Sequence, residues 1–375
     1  MNRATGCRPG RSDGQLGSRR LGRRGERRPS RLLLLVAALG ATLLLFACTA
    51  DHREHLTIYS PHGRELLELM ERTFEAANPD IDVRWLDMGS QDIVERLRFE
   101  RPNPVADVWF GGPTTLFDAG VREQLIEPYR PTWWRSVDSG GIGRDDMYWP
   151  VYRTPAVIAF DTNLVKQREA PQDWDEVLQP RWRDQLLIRD PIASGTMRAI
   201  WGMILMRSVQ ATGDTTAGMT WLRRLDAQTR TYALNPAILA QKLARGEGTI
   251  TLWDLPDMLI WRSEGMPFGY TFPRSGTPVI DDAIAIVKGT KHRRAAERFV
   301  DYVGSVDAQI LTAQKNWRLP ARTDLPADRV PAWVADVDRR MVTARMDWTM
   351  LANNGSAWMR YWDQRVRGSG RAAAR

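Results

Sequence analysis

Small and hydroxyl-bearing residues stand where predicted strands end and helices begin. In Ser194-Gly195-Thr196 the serine can cap a helix, the glycine lets a ligand approach, and free N–H groups attract an anion. The alternative is a serine that only caps its helix. Similar residues follow other predicted strands, namely Ser60, His62 and Gly63, then Ser90, then Gly112 and Thr114. Together these positions predict a site that holds the charged end of a small anionic solute.

Four side chains, His62 and three further ones, have one ligand-binding and one structural interpretation each. His62 can donate to a phosphate or hydroxyl, or it can pack inside the protein. Arg153 offers a guanidinium suited to a carboxylate or phosphate, or it is a solvated arginine. Trp253 can stack on a sugar or belong to the core, and Asp254 can accept ligand hydroxyls or cap the following helix.

The sequence lacks the motifs of common enzymes. From residue 48 onward it has no Gly-x-Ser-x-Gly, His-Glu-x-x-His, phosphate-binding Gly-x-x-x-x-Gly-Lys or Gly-x-Gly-x-x-Gly pattern. The chain has only two cysteines, Cys7 and Cys48, and four histidines. The acidic pair Asp281-Asp282 is interpreted as the polar start of a strand. We therefore predict a binding protein without catalytic residues, cofactor or resident metal.

The first 47 residues have the pattern of an export signal. An arginine-rich leader precedes the uncharged run Leu32 to Ala47, which is followed directly by Cys48. The pattern predicts a lipoprotein signal peptide over residues 1–47, cleavage before Cys48, a lipid anchor on that cysteine and a tether over residues 48–55. An uncleaved signal anchor is the alternative, and Arg27-Arg28 leaves the export route open. The mature chain is expected on the periplasmic or cell-surface side, held to a membrane by lipid.

The formal net charge of +8 belongs entirely to this leader. Residues 1–47 hold ten arginines and two acidic residues, so the remaining residues carry 43 basic and 43 acidic side chains. A charge-balanced mature chain gives no indication of a nucleic-acid partner.

Two groups of alternating strands and helices follow the tether. The first comprises Leu56–Ser60, Gly63–Ala77, Ile81–Trp85, Gln91–Phe99 and Val105–Phe110. The second comprises Leu186–Ile188, Gly195–Arg207, Thr216–Ala227, Arg230–Leu234, Pro236–Arg245, Thr249–Trp253 and Pro256–Glu264, before the long apolar strand Val279–Val287. Such alternation predicts an α/β protein with parallel sheets covered by helices.

The pattern predicts two lobes with a ligand-binding cleft between them. Lobe 1 is expected to be discontinuous, over residues 56–153 and 275–375, and lobe 2 to cover residues 154–274. Each lobe is a mainly parallel sheet flanked by helices, and the C-terminal tail is helical. In parallel sheets a ligand binds at the carboxyl ends of the strands, where the candidate residues lie.

The chain resembles the periplasmic solute-binding proteins of ABC importers, in the branch with ferric-ion, sugar-phosphate and phosphoglycerate receptors. The similarity covers roughly residues 56–330 and is carried by Leu56–Gly63, Ala106–Gly112, Val157–Val165, Asp190–Thr196, Asp281–Gly289 and Arg318–Arg322. It implies a type II clamshell that captures a small solute and delivers it to a permease with its ATPase.

One departure from the family pattern bears on the solute. Ferric receptors carry paired tyrosines after the strand near residue 250, whereas Thr251 to Asp257 contains none. Asp254 and Asp257 could supply carboxylates to a metal. The sequence favours an organic anion such as a sugar phosphate or phosphoglycerate. The alternatives are a ferric-ion or ferric-complex receptor, or a lipid-anchored hydrolase or sensor.

Overall fold

The computed structural model describes residues 52–138 and 142–369. The predicted signal peptide, Cys48 and the start of the tether lie outside the described residues. Among the residues that are described, no helix has both the length and the apolar character needed to cross a membrane.

The first lobe is built on three parallel strands. β1 (Glu54–Ser60) lies between β2 (Ile81–Asp87) and β3 (Val108–Pro113), and β10 (Val279–Val287) runs antiparallel to β3. The short strand β4 (Ile126–Glu127) also pairs with β10. The helices of this part are α1 (Arg64–Ala77), α2 (Ser90–Glu100), α3 (Thr114–Arg122), α8 (Arg293–Val303) and α9 (Val306–Asn316).

The amphipathic helix α1 shows how the sequence builds this lobe. Its buried residues recur at helical spacing (Leu66, Leu67, Leu69, Met70 and Phe74). They pack with the apolar residues of β1, β2 and β3 in one hydrophobic core. The carboxyl ends of the parallel strands are thereby held at one edge of the sheet, where α1, α2 and α3 begin.

One long strand runs from the first lobe into the second. β5 (Trp149–Asp161) pairs with β10 from Trp149 to Pro155, and with β8 (Ile250–Asp254) from Ala156 to Phe160. The second crossing runs from β9 (Phe268–Thr271) to β10. Because these crossing strands are antiparallel to their neighbours, each sheet combines parallel strands with antiparallel ones.

The second lobe has the parallel strands β8, β6 (Leu186–Arg189) and β7 (Thr229–Ala233). Its helices are α4 (Gly195–Thr212), α5 (Thr216–Gln228), α6 (Pro236–Ala244) and α7 (Leu255–Ser263), with short 3₁₀ turns at Trp174–Leu178 and Pro180–Trp182. In the first lobe, 3₁₀ turns occur at Trp134–Ser136 and Arg144–Asp146, and β11 (Leu319–Pro320) pairs with β5.

The C-terminal helices pack against the second lobe. α10 (Ala332–Arg340) and α11 (Trp348–Arg365) contribute Val334, Val337, Met359 and Trp362 to the same core as β6 and β8. The Trp362 ring meets the Trp201 ring of α4 at a centroid distance of 6.0 Å. The expectation that all of residues 275–375 belong to lobe 1 is therefore wrong for these helices.

Most predicted elements are present, with boundaries that shift by a few residues. The two-lobed α/β fold is confirmed, and β10 has the bounds that its apolar run predicts. β1 begins at Glu54, inside the predicted tether, because Glu54 and His55 pair with Ile81 and Asp82 of β2. Helix α3 was not predicted, since the Gly111-Gly112-Pro113-Thr114 segment was interpreted as a turn.

Candidate functional site

A cavity of about 530 Å³ lies between the two lobes. The N-terminal ends of five helices line it. These are Gly63 to Glu65 at α1, Gly89 and Ser90 at α2, Ser194 to Thr196 at α4, Asn235 to Ala237 at α6, and Asp254 and Asp257 at α7. Helix N-termini have free N–H groups and a positive dipole end, so this cavity suits negatively charged groups.

Two of these N-termini carry no acidic residue of their own. The first turns of α4 and α6 lack Asp and Glu. Ser194 Oγ caps α4 by accepting a hydrogen bond from the N–H of Met197 at 3.2 Å, and Asn235 Oδ1 accepts from the N–H of Ile238 at 2.8 Å. The first N–H groups of both helices therefore remain to bind an anion from outside.

Arg189 adds a positive charge to this part of the cavity. Its side chain is 4% exposed, and its Nη1 donates to the carbonyls of Asp190 and Ala233, both at 3.3 Å. Burial lowers the pKa of the guanidinium from its usual value, although Asp190 and Asp92 oppose the shift. An anion placed here would stabilise the charged arginine.

The other three N-termini have acidic residues in their first turns, and the one in α2 is Asp92. Glu65 stands in the first turn of α1 and Asp257 in the first turn of α7. Asp254 caps α7 by accepting from the N–H of Asp257 at 3.0 Å, and Asp257 Oδ2 accepts from the indole N–H of Trp253 at 2.9 Å. This part of the cavity is acidic.

Arg318 lies among these carboxylates and connects the lobes. Its Nη2 donates to the carbonyl of His62 at 2.9 Å and lies 3.9 Å from Asp257 Oδ1. The side chain is 4% exposed, and its Nε has no hydrogen-bond partner within the described residues. A buried guanidinium N–H without a partner costs free energy that a bound ligand would recover.

Burial raises the pKa values of the surrounding acids. Desolvation is the largest cause for Asp254, Asp257 and Asp282. Repulsion by Asp257 adds to the shift of Asp254 and Asp282, whereas the charge of Arg318 opposes the shift in all three. One guanidinium does not offset the repulsion and burial of these carboxyl groups.

The lobes touch each other beside the cavity. A Cβ atom on Gly195 of α4 would lie 2.7 Å from Cδ of Pro113 and 3.3 Å from Ser90 Oγ, both in the first lobe. Gly195 and Pro113 also line a second cavity of about 380 Å³, bounded by α2, α3, α4 and α11. The contact between Gly195 and Pro113 separates the two cavities. It is so close that position 195 has no room for a side chain.

Eight of the predicted site residues line the interlobe cavity. They are His62, Gly63, Ser90, Ser194, Gly195, Thr196, Trp253 and Asp254. The carboxyl ends of the strands in both sheets bring them together from distant parts of the sequence. Ser194 and Asp254 are helix caps and also line the cavity, and their contact with a ligand stays a prediction.

Two of these residues have rings that belong to the core. The His62 ring packs edge-on against Phe110 and Tyr152, at centroid distances of 4.8 and 5.5 Å. Burial lowers its pKa well below the usual value, with Arg318 adding to the shift, so His62 is neutral. Trp253 is 4% exposed and packs in the second-lobe core, which leaves little of its face for a sugar.

Four predicted site residues do not line the cavity. Ser60 is fully buried, and its Oγ accepts from the N–H of His62 at 3.2 Å. Gly112 donates its N–H to Asp282 Oδ1 at 3.1 Å, and Thr114 is the first residue of α3. The lining contains none of these three residues.

Arg153 is the fourth, and its placement corrects the expectation most clearly. It lies at the crossing between the lobes, as predicted, but its guanidinium faces away from the cavity. Nη1 and Nη2 donate to the Asp338 carboxylate at 3.1 and 3.3 Å, and Nε donates to the carbonyl of Pro320 at 3.1 Å. The carboxylate that Arg153 binds belongs to the protein.

Sequence reasoning missed several charged residues of the cavity. Arg318, Asp282 and Arg189 were not assigned to the site, and Asp257 was considered only as a carboxylate for a metal. All four line the cavity. Arg318 stands in a segment that carried the family resemblance, and a lone arginine before an apolar Leu-Pro pair was the available signal. Within the described residues, no group of three His, Cys, Asp or Glu side chains is arranged to hold a metal ion.

Several known proteins with similar sequences are named as periplasmic binding proteins. The chain is 27% identical over 290 residues to a probable ABC transporter periplasmic-binding protein of Sinorhizobium fredii, covering 76% of this chain and 80% of that protein. It is 23% identical to a putative 2-aminoethylphosphonate-binding periplasmic protein of Salmonella typhimurium, covering 66% of this chain and 72% of that protein.

Structural comparison gives the same fold. The periplasmic binding protein AfuA of Actinobacillus pleuropneumoniae, solved with fructose-6-phosphate bound, superposes with a TM-score of 0.73 at 21% identity. The match covers 84% of this chain and 99% of that one. Residues 103–343, well over half of the 375-residue chain, also match the family of bacterial extracellular solute-binding proteins. The two lobes, the cavity between them and this match confirm the predicted resemblance, and the chain belongs to the family of bacterial extracellular solute-binding proteins.

Proposed function

We propose that this protein is the receptor of an ABC importer for a small organic anion with a phosphate or phosphonate group. The solute binds in the interlobe cavity, the lobes close over it, and the closed form delivers it to a permease with its ATPase. A lipid anchor at Cys48 would hold the receptor beside that permease. The protein performs no catalysis in this scheme.

The observation that carries this proposal is the pair of N-termini of α4 and α6. Both open on the same cavity, neither has an acidic residue in its first turn, and the buried Arg189 lies beside them. The dipole of each helix favours a negative charge by about 0.3–1 kcal/mol at an exposed site, and more when it is partly buried. The two helix N-termini and Arg189 together favour a solute group that carries more than one negative charge.

Some similar proteins are named for phosphorus-containing solutes, whereas others, among them iron uptake protein A1 of Synechocystis and a ferric-ion-binding protein of Pasteurella haemolytica, are named for iron. A structural neighbour holds fructose-6-phosphate, and a relative is named for 2-aminoethylphosphonate. In both compounds a tetrahedral phosphorus group presents several oxygens to hydrogen-bond donors, which suits the N–H groups at a helix N-terminus.

Ala237 allows a direct test of the sign of the charge that this end of the cavity binds. It is an exposed residue in the first turn of α6 and lines the cavity. We expect Ala237→Glu to weaken binding of a phosphorylated solute about 10-fold relative to Ala237→Gln, which has the same size and no charge. A glutamate at this position is favourable for the helix itself, so folding is not expected to suffer.

The assay is a thermal-shift screen followed by calorimetry. Sugar phosphates, phosphoglycerates, alkyl phosphonates, polyamines and ferric citrate are tested on the wild type, and a solute at 100 times its Kd should add about 2.7 kcal/mol of stability. Equal affinity of the Glu and Gln variants for the phosphorylated solute, or stabilisation by polyamines alone, would refute the anion site. Stabilisation by ferric citrate alone would favour the ferric receptor, and conversion of a bound solute to product would favour the hydrolase.

A further inference from the structure

We propose that the solute is a zwitterion, with an ammonium group held by the acidic half of the cavity and its anionic group held at α4 and α6. This inference rests on the proposed function and specifies the chemical class of the solute. It follows from the way in which the charged side chains are divided between the two halves of the cavity.

The acidic half receives carboxylates from both lobes. Glu65 at the start of α1 and Asp87 at the end of β2 come from the first lobe, whereas Asp257 and Glu264, at the two ends of α7, come from the second. Glu65 repels both Asp257 and Glu264, and Asp257 repels Asp87, so the charges of the two lobes interact across the cavity.

The positive charges of the protein do not balance this half. Six carboxylates and three arginines line the cavity as a whole. Of the arginines, Arg64 donates to Glu68 at 2.7 Å. Arg189 donates to the carbonyl of Ala233, two residues before the cap of α6, and the charges that act on it are those of Asp190 and Asp92. Arg318 is left as the cation among the carboxylates.

Arg318 shows that the protein's own contacts leave this region incomplete. Its side chain is 4% exposed, its Nη2 reaches only to 3.9 Å from Asp257, and its Nε has no partner in the described part of the chain. A buried guanidinium beside several carboxylates would ordinarily form close, bidentate ion pairs. A solute with a donor for Asp257 and an acceptor for Arg318 would complete the contacts of both side chains.

The two halves thus have opposite requirements. At α4 and α6, free N–H groups and Arg189 attract an anion. At α1 and α7, carboxylates already occupy the N-termini, so a second anion would be repelled. A solute with an ammonium at one end neutralises the carboxylates that lobe closure brings together, whereas an uncharged end leaves their repulsion in place.

Matched pairs of solutes test the ammonium group directly. We would measure, by calorimetry on the wild type, 2-aminoethylphosphonate against ethylphosphonate and 4-aminobutyrate against butyrate. In at least one pair, we expect the amine-bearing member to bind at least 10-fold more tightly. The double variant Glu65→Gln/Glu264→Gln should reduce that ratio several-fold. Both side chains are exposed, so the fold should tolerate the change.

The outcomes separate this inference from the proposed function. Equal or tighter binding of the amine-free member in each pair would overturn the inference of a zwitterion. The same holds if the double variant leaves the affinity ratio between the amine-bearing and the amine-free member unchanged. Failure of all four compounds would also overturn it, while binding of a sugar phosphate that Ala237→Glu weakens would still support the organic-anion receptor. If polyamines bind and no anion does, both proposals fail.

Discussion

The contact between Gly195 and the first lobe predicts that one added methyl group weakens solute binding without unfolding the protein. In Gly195→Ala, the new Cβ would lie 2.7 and 2.8 Å from Cδ and Cγ of Pro113. Carbon atoms pack at about 3.5–4.0 Å, so the two groups must separate by roughly 1 Å. The proline ring is rigid, and the gap is most easily made by rotating the lobes apart.

The expected size of the effect follows from the cost of overpacking. Inserting a methyl group into a well-packed contact costs about 1–3 kcal/mol. That cost falls on the conformation in which the lobes touch, so affinity should drop by roughly 5- to 150-fold. Gly195 is the first residue of α4 and does not have a positive φ, so alanine is compatible with the backbone there.

Gly213, just beyond the other end of α4, provides the control. Its φ is +85°, and a Cβ there would have no atom within 4 Å. Gly213→Ala should lower the free energy of unfolding by about 1 kcal/mol through backbone strain and leave affinity unchanged. Gly195→Ala should lower the affinity and leave the free energy of unfolding unchanged. Calorimetry, urea denaturation and the radius of gyration in solution measure these effects. Wild-type affinity in Gly195→Ala would refute the reasoning.

Two predictions concern stability. Burial and the neighbouring Asp282 raise the pKa of Asp281 from 3.8 to about 6. The protonated carboxyl group of Asp281 therefore stabilises the folded state below pH 3.8, and this contribution is lost as the pH rises through 6. Asp281→Asn should therefore be more stable than the wild type by up to about 3 kcal/mol at pH 7.5, with the difference vanishing near pH 4 in urea denaturation; a difference independent of pH would contradict this origin. Asp107 is 3% exposed and accepts hydrogen bonds from the Thr57 N–H at 2.7 Å and from the Thr290 hydroxyl. Asp107→Ala should lower the free energy of unfolding by about 2–4 kcal/mol because it leaves these donors unpaired, and a loss below 1 kcal/mol would show that water replaces the carboxylate.

Local sequence patterns were sufficient for most of the secondary structure. The amphipathic spacing of α1 specifies a helix because it places the buried residues on one helical face. The apolar run of β10 specifies a strand because most of its residues are buried. β5 was not predicted as one strand, since it crosses from one lobe to the other and pairs with different partners along its length. Its extent depends on strands that are distant in sequence.

The sequence-based predictions of site residues differ from the structure where a side chain has a partner far away in the sequence. Arg153 was expected to bind the solute, yet it pairs with Asp338, 185 residues away. Arg318 was not assigned to the site, yet it donates to His62, 256 residues away. A sequence shows that an arginine is present but does not show whether the protein itself supplies its anion.

The sequence by itself determined the α/β class, the two lobes and the capped helix start at Ser194. Strand ends and helix starts are encoded by nearby residues, and Ser194-Gly195-Thr196 combines a cap with free N–H groups over three positions. Only the tertiary structure decided the charge of the acidic half of the cavity. Glu65, Asp257 and Arg318 are neighbours because the two lobes face each other across one cavity. Electrostatic interactions depend on the distance between charges in space, and a local sequence pattern does not give that distance.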